Sequence, residues 1–291
     1  MNFIILDLEW NGAYSKRYKR FVNEIIEFGA VKVDGSFKRL GTFEALIKPQ
    51  IGKKISGKVK DLTSITNEDL DGGLQFLQAM SKFRRWAGDC VIMTWGTSDI
   101  LTLIENCRYF YGSRRVPFLM RYADLQAYCE KMLGCAAGCD QVGLGTAADA
   151  LNIDASGFEH HRAVDDSMLE LMCFEKLYDA SALLPFIQNA CTRKFYDRIE
   201  FKTAFIKDLS HPLINRKDLS FNCDVCGRPA RRMSEWKLQN NSFKAEFFCV
   251  RCRHKFYGRV RFKLKYDGVA VKKAILQVND EDAKRIKADN L

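Results

Sequence analysis

The sequence contains little proline, no long apolar run and no low-complexity tract. Its 291 residues include only 5 prolines and 19 glycines, which excludes collagen-like chains and chains dominated by flexible linkers. No apolar stretch approaches the roughly 18 residues of a membrane-spanning helix. The apolar N-terminus is short, is interrupted by Asp7 and Glu9, and lacks a preceding basic segment. We therefore expect no signal peptide, no membrane partner and a cytoplasmic location.

The cysteine pattern does not resemble a disulfide framework either. The 11 cysteines are odd in number, and the chain is long for a disulfide-stapled fold. Reduced thiols or metal ligands are therefore the better interpretation. Four cysteines form two C-x-x-C pairs. The other seven are scattered and are interpreted as small core residues: Cys90, Cys107, Cys129, Cys135, Cys139, Cys173 and Cys191.

Positive charge is concentrated in the last third of the chain. Residues 1–185 hold 22 Lys and Arg against 24 Asp and Glu, whereas residues 186–291 hold 24 against 12. The formal net charge of +10 therefore comes entirely from the C-terminal region. A basic segment attached to a nearly neutral one is typical of an appendage that binds polyanions, although a solvated surface selected for solubility would give the same count.

Apolar periodicity predicts a mixed α/β domain followed by a smaller β-rich one. Five strands are predicted at residues 3–8, 25–33, 37–48, 90–95 and 117–124. Helical spacing occurs at 74–87, 99–111, 124–133, 141–151 and 162–178. Three strands followed by alternating helices and strands indicate a mixed five-stranded sheet flanked by helices. We expect domains at residues 1–180 and 222–291, joined by a helical or irregular connector at 181–221.

Acidic side chains lie at the end of the first predicted strand and after the fourth. Asp7 and Glu9 lie two residues apart on a buried strand, so they share a face about 6.6 Å apart. Two carboxylates there repel each other and are costly to desolvate unless a divalent cation binds between them. Asp99 follows the strand CVIMTW and the segment GTS, where Ser98 or Asp99 could also act as a helix cap.

A further acidic motif precedes the last predicted helix of the larger domain. The segment HHRAVDD contains H-x-A-x-x-D, matched by His161, Ala163 and Asp166. Four carboxylates at strand and helix ends can hold two Mg²⁺ or Mn²⁺ ions, which prefer oxygen ligands. Histidine titrates near neutral pH and can accept a proton from a metal-bound water. This set of residues predicts two-metal phosphodiester hydrolysis.

The motifs resemble those of the DEDDh, or DnaQ-like, 3′–5′ exonucleases of the ribonuclease H-like superfamily. The resemblance covers residues 1–180 through FIILDLEW, IIEFGAVKVD, LTSITNEDL, WGTSDI and HRAVDD. It implies a ribonuclease H-like fold with Asp7, Glu9, Asp99 and Asp166 as metal-binding catalytic acids and His161 as general base. It also selects His161 over His160 and Asp166 over Asp165. Trp10 departs from the family, where threonine is common, and either stacks on the terminal base or packs against loops.

The two C-x-x-C pairs are Cys223 with Cys226 and Cys249 with Cys252, separated by 22 residues. Such spacing is typical of a closed, tetrahedral and structural Zn²⁺ site. A redox dithiol is the alternative. The strand RVRFKLKY nearby, at residues 259–266, alternates apolar residues with Arg261, Lys263 and Lys265. We therefore expect a zinc-ribbon-like module whose basic strand face contacts phosphates, with at least half of its aromatic residues in the core.

These features predict a 3′–5′ exonuclease that removes nucleoside 5′-monophosphates from single-stranded or 3′-overhanging nucleic acid, RNA or DNA. The expected cofactors are two catalytic Mg²⁺ or Mn²⁺ ions and one structural Zn²⁺. Two alternatives remain open: a nucleic-acid-binding protein with an idle nuclease fold, and a protein whose zinc module docks on a polymerase or ribosome.

Overall fold

The chain divides into two units between Glu200 and Phe201, and a six-stranded mixed sheet organises the first unit. The structure is a computed structural model, and it describes residues 1–135, 141–158 and 161–277. The strands follow the order β3-β2-β1-β4-β5-β6, in which β1 runs parallel to β4 and β4 parallel to β5. They are β1 (Phe3–Ser15), β2 (Arg20–Val33), β3 (Arg39–Leu46), β4 (Val91–Thr94), β5 (Arg121–Asp124) and β6 (Gln188–Asn189).

The predicted five-stranded mixed sheet is confirmed, with one addition at its edge. The two-residue strand β6 pairs antiparallel with β5, and it is too short to leave a periodic pattern in the sequence. The helices of this unit are α1 (Gly57–Thr63), α2 (Asn67–Asp71), α3 (Phe76–Ala87), α4 (Ser98–Tyr111), α5 (Leu125–Met132), α6 (Leu144–Ala150), α7 (Ala163–Leu177), α8 (Ala180–Leu183) and α9 (Arg193–Ile199). Among the described residues, none of these helices has the length and apolarity that a membrane crossing requires.

Alternation along β1 divides the core into two layers. Ile4, Leu6 and Leu8 pack in the layer that contains α3 and α4, whereas Phe3 and Ile5 pack in the layer that contains α5 and α7. Strand β1 is therefore buried on both faces up to the point where Asp7 and Glu9 replace apolar residues. The acids consequently lie at the edge of the α7 layer.

The first hairpin is longer than the apolar pattern predicted. Strand β1 continues to Ser15 and β2 begins at Arg20, so the two strands pair well beyond residues 3–8 and 25–33. Tertiary hydrogen bonds stabilise this extension: the Glu24 carboxylate accepts bonds from the backbone amides of residues 50–52. The Asn11 side chain accepts another from the Ser56 amide.

The second unit contains a separate β-sheet. Its strands are β7 (Ala204–Phe205), β8 (Arg231–Arg232), β9 (Lys237–Gln239), β10 (Ser242–Cys249), β11 (His254–Lys265) and β12 (Gly268–Gln277). The main order is β12-β11-β10-β8, with β7 paired to β11 and β9 to β10. The core of this sheet contains the aromatic residues Phe221, Phe243, Phe247, Phe256 and Phe262.

The segment predicted as a connector, 181–221, is divided between the units. Phe195 and Tyr196 of α9 belong to the core of the first unit, and β7 belongs to the sheet of the second. The prediction that the scattered cysteines are core residues holds for Cys90, Cys107, Cys129 and Cys173. It is wrong for Cys135 and Cys191, which are exposed, and Cys139 lies outside the described residues.

Candidate active site and metal centres

Asp7 and Glu9 occupy the same face of β1, as their spacing predicted. The register of β1 with β2 shifts only after Glu9, so regular alternation places both acids on the face of Phe3 and Ile5. Helix α7 covers that face. The first two predicted ligands therefore lie opposite the helix that supplies the last one.

Asp99 lies at the second position of α4 and is only 4% exposed. Its Oδ1 atom accepts a hydrogen bond of 3.1 Å from the backbone amide of Leu8. The alternative interpretation of Ser98 or Asp99 as a helix cap is wrong, because the N-cap position belongs to Thr97. The bond to Leu8 fixes Asp99 beside the strand that carries Asp7 and Glu9.

The HRAVDD segment brings His161 and Asp166 to the same place. His161 has a left-handed backbone with φ of 64°, and its amide donates to Asp166 Oδ2 at 3.1 Å. One potential ligand atom each of Glu9, His161 and Asp166 lies within 4.8 Å of the others. His160 lies outside the described residues.

An ion pair fixes the start of α7 to the sheet. The Arg162 Nη2 atom donates to Glu27 Oε1 at 2.8 Å, and the Ala163 amide donates to Glu27 Oε2 at 3.2 Å. Glu27 lies opposite Glu9 on β2, and its side chain is 1% exposed. Gly29, two residues further along β2, allows α7 to approach closely, because a Cβ atom there would lie 2.0 Å from the Ala163 carbonyl carbon.

The clustered carboxylates have strongly raised pKa values. Burial is the main cause of raising the pKa of Asp7 well above its usual range, and the neighbouring charges of Asp99 and Glu170 add to it. Burial and the charge of Asp166 raise the pKa of Glu9 to about 8. Burial raises the pKa of Asp99 to about 7. Carboxylates that repel one another this strongly when ionised are typical of a site that binds divalent cations through oxygen ligands.

Glu170 is a fifth acid of the cluster, and the sequence analysis missed it. It lies one helical turn after Asp166 on α7 and is 1% exposed. Its Oε2 atom has no hydrogen-bond partner among the described residues. Burial and the charges of Asp99 and Asp166 raise its pKa well above the usual range. The i, i+4 spacing from Asp166 was the available sequence signal, since it places both acids on one helix face.

An open pocket of about 450 Å³ exposes the cluster. Asp7, Glu9, His161 and Asp166 line this pocket. Trp10 is half-buried, lines the same pocket and packs against the core layer of α3 and α4. The remaining wall includes the exposed Lys58 of α1 and the hairpin residues Gly12 and Asn23.

The four paired cysteines form a second candidate metal centre. One Sγ atom from each of Cys223, Cys226, Cys249 and Cys252 lies within 4.8 Å of the others. The first pair encloses a tight turn, in which the Gly227 amide donates to the Cys223 carbonyl at 2.9 Å. The Cys252 amide bonds to the Cys249 sulfur and lowers the pKa of that thiol to about 7. The lowered pKa favours the thiolate of Cys249, the form that binds metal, whereas the hydrogen bond with Cys226 raises the pKa of Cys252 to about 12.

The predicted basic face of β11 is partly engaged within its own unit. Arg261 donates from Nε to Ser242 Oγ at 3.0 Å, and its guanidinium lies over the Phe205 ring. Lys263 is half-buried and also lies near that ring, whereas Lys265 is exposed. The face is therefore less open than the sequence alternation suggested.

Comparisons with known proteins agree with this fold. A family model described as Exonuclease (RNase_T) matches residues 4–174. The "Probable 3'-5' exonuclease KapD" of Bacillus subtilis is 28% identical over 180 residues, which cover 60% of this chain and 83% of that protein. The "DNA polymerase III PolC-type" protein of Thermotoga maritima is 24% identical over 207 residues, 68% of this chain but only 13% of that protein.

Two solved structures share the fold. The nuclease domain of 3′hExo, described as a DEDDh family member bound to rAMP, matches with a TM-score of 0.53 and 22% identity. That match covers 60% of this chain and 90% of the other. A 3′-exonuclease described with a histone mRNA stem-loop gives a TM-score of 0.53 and 21% identity, over 60% of this chain and 63% of that one.

The fold and the carboxylate cluster fit a metal-dependent nuclease. The chain belongs to the Exonuclease (RNase_T) family, which confirms the predicted 3′–5′ exonuclease.

Proposed function

We propose that this exonuclease releases nucleoside 5′-monophosphates from the 3′ ends of single-stranded or 3′-overhanging nucleic acid. The observation that carries the proposal is that Asp7, Glu9, His161 and Asp166 line one open pocket, with the buried Asp99 held beside them by its bond to Leu8. The acids are held by β1, α4 and α7, so their positions depend on the core rather than on mobile loops. We assign these four residues as the ligands of two Mg²⁺ or Mn²⁺ ions.

The residues divide the chemistry between them. When bound, the two ions supply an activated water and stabilise the departing 3′ oxygen. His161 accepts the proton of the attacking water, and its backbone bond to Asp166 keeps the imidazole beside the acids. The exposed part of Trp10 contacts the terminal nucleotide, and Lys58 contacts a phosphate at the pocket rim.

Matched oligonucleotides labelled at the 3′ or the 5′ end test the proposal. With Mg²⁺ or Mn²⁺, a 3′ label should appear at once in mononucleotides, whereas a 5′ label should pass through a ladder of shortened strands. His161→Ala should slow both reactions by about 10²–10⁴-fold. Release of the 5′ label first, or a loss below tenfold for His161→Ala, would contradict the assignment. Running DNA and RNA in parallel identifies the preferred sugar.

We also propose that one Zn²⁺ binds Cys223, Cys226, Cys249 and Cys252 and that it is structural. All four ligands come from the protein and no open position is left for substrate, which is typical of structural zinc. Metal analysis should give about one zinc per chain that withstands EDTA washing, and its absence would contradict the proposal.

The zinc-bearing unit is proposed to grip nucleic acid through Lys265 and its half-buried neighbours Arg261 and Lys263. A protein partner is the competing role, since PolC-type relatives are polymerases by name. The same relatives do not favour an idle nuclease, because the match to them runs through the exonuclease region. Salt dependence of binding to naked nucleic acid separates the two roles.

A further inference from the structure

The tip of the β1–β2 hairpin carries two exposed aromatic rings. Tyr14 and Phe21 are cross-strand partners, 54% and 70% exposed respectively. Their ring centroids are 5.6 Å apart with an interplanar angle of 76°. Large apolar side chains are usually buried, so an exposed aromatic pair on an ordered strand suggests a ligand with flat, apolar faces.

This aromatic pair lies two residues along the hairpin from a pair that lines the catalytic pocket. Gly12 and Asn23 line that pocket, and they are cross-strand partners on the same hairpin. Tyr14 and Phe21 are two residues further along each strand, so they lie on the same face, roughly 7 Å beyond Gly12. A strand that leaves the pocket over Gly12 would meet the two rings next.

Hydrogen bonds and an ion pair fix the hairpin to neighbouring segments of the same unit. On its other face, Glu24 accepts bonds from three backbone amides of residues 50–52. At the turn, Arg17 donates to the Tyr109 carbonyl at 2.9 Å, and Arg20 pairs with Glu105 at 2.6 Å. A surface fixed in this way loses little conformational freedom on binding.

The charge of the tip complements a phosphate backbone. Residues 14–21 read YSKRYKRF and contain four basic residues and no acidic one. Arg17 and Arg20 are engaged with α4, whereas Lys16 and Lys19 are exposed at the turn. Aromatic rings flanked by exposed cations are the combination that binds single-stranded nucleic acid without reading its sequence.

We propose that the β1–β2 hairpin tip is a binding platform for the single strand entering the active site. Tyr14 and Phe21 stack on bases a few nucleotides upstream of the scissile bond, and Lys16 and Lys19 contact the phosphates between them. The inference rests on the proposed function, because it assigns this surface to the same substrate strand.

Substrate length separates the platform from the chemistry. In the full chain, Tyr14→Ala combined with Phe21→Ala should raise KM for a 12-nucleotide single strand by at least about tenfold, given about 1–3 kcal/mol per stacked base. The kcat for that strand and the hydrolysis of a dinucleotide, which is too short to reach the rings, should not change. Tyr14→Phe combined with Phe21→Tyr should keep KM at the wild-type value because both rings remain. Leucine at both positions should raise KM as alanine does.

Anisotropy of a fluorescent 12-mer in EDTA gives a readout independent of cleavage. The double alanine variant should bind more weakly with the same salt slope, because stacking releases no counterions. Lys16→Ala with Lys19→Ala should instead reduce the slope by roughly 0.7 per lost phosphate contact. Unchanged KM and affinity in the aromatic variant would overturn the inference and leave the exposed rings to a protein partner. If the wild-type protein does not cleave the strand but the variants still show these differences in binding, the proposed hydrolysis is refuted and the binding platform is not.

Discussion

Replacing Gly29 with alanine tests how the fold positions the catalytic residues. The added Cβ would lie 2.0 Å from the Ala163 carbonyl carbon and 2.2 Å from the Val164 nitrogen. An ordinary contact begins at 3.4 Å, so the N-terminus of α7 would have to retreat by about 1.4 Å. The same shift would lengthen the 3.0 Å bond that Ser167 Oγ donates to the Gly29 carbonyl.

The displaced helix carries Asp166 and adjoins His161, so both activity and stability should fall. Misplacing a reacting group by about 1 Å can cost about 10²-fold in rate, whereas overpacking costs about 1–3 kcal/mol. We therefore expect kcat on a labelled oligonucleotide to fall about 100-fold and the melting temperature to fall by about 2–4 °C per kcal/mol.

Gly145→Ala is the matched control. It lies in α6, and nothing comes within 4 Å of the position its Cβ would take. It should keep normal activity and gain up to about 1 kcal/mol from helix propensity. If Gly29→Ala also kept wild-type kcat and melting temperature, the close approach of α7 to β2 would not position the site.

Three further predictions concern metal, zinc and the unit boundary. Because Glu9 and Asp99 have pKa values raised to about 8 and 7 in the folded chain, their protonated forms stabilise the metal-free fold at low pH. The free energy of unfolding of the EDTA-treated protein should therefore fall by about a few kcal/mol as pH rises from 5 to 8, and adding Mg²⁺ should reverse this fall. A free energy of unfolding that does not change with pH would contradict the repulsion between the clustered carboxylates. Cys226→Ser should release zinc and unfold the second unit without changing dinucleotide hydrolysis, which is checked by metal analysis and limited proteolysis; retained zinc would contradict the assignment. A chain ending at Glu200 should cleave short oligonucleotides normally but bind long ones more weakly, with a shallower salt slope. If it binds long oligonucleotides as tightly as the full chain does, the second unit does not bind nucleic acid.

Strand periodicity was sufficient to predict the central sheet, whereas the candidate site residues were selected through motifs that resemble those of a known family. Asp7, Glu9 and Asp99 lie at or after strand ends in the sequence, and the resemblance to the family motifs was needed to select His161 and Asp166. The structure brings these residues close together because β1 and β4 are parallel neighbours and α7 packs across β1, although Asp99 stays buried beside the pocket.

The missed features depend on contacts between distant segments. The hairpin extension is stabilised by Glu24 and the amides of residues 50–52, which no local pattern reveals. Glu170 was overlooked because an acid within a helix usually faces solvent, whereas here the layer between α7 and the sheet buries it. Helix α9 was assigned to a connector because its packing on the first core is tertiary.

Asp7→Asn, assayed for release of a 3′-terminal label at saturating Mn²⁺, tests the central claim most directly. Asparagine keeps the size of the side chain and removes one charge from a cluster whose members repel, so the metal-free protein should melt at the same or a higher temperature. The rate should nevertheless fall by more than the ~10–100-fold typical of losing an outer-shell partner of a metal site. A folded Asp7→Asn protein that releases the label at near wild-type rate would contradict hydrolysis at this carboxylate cluster.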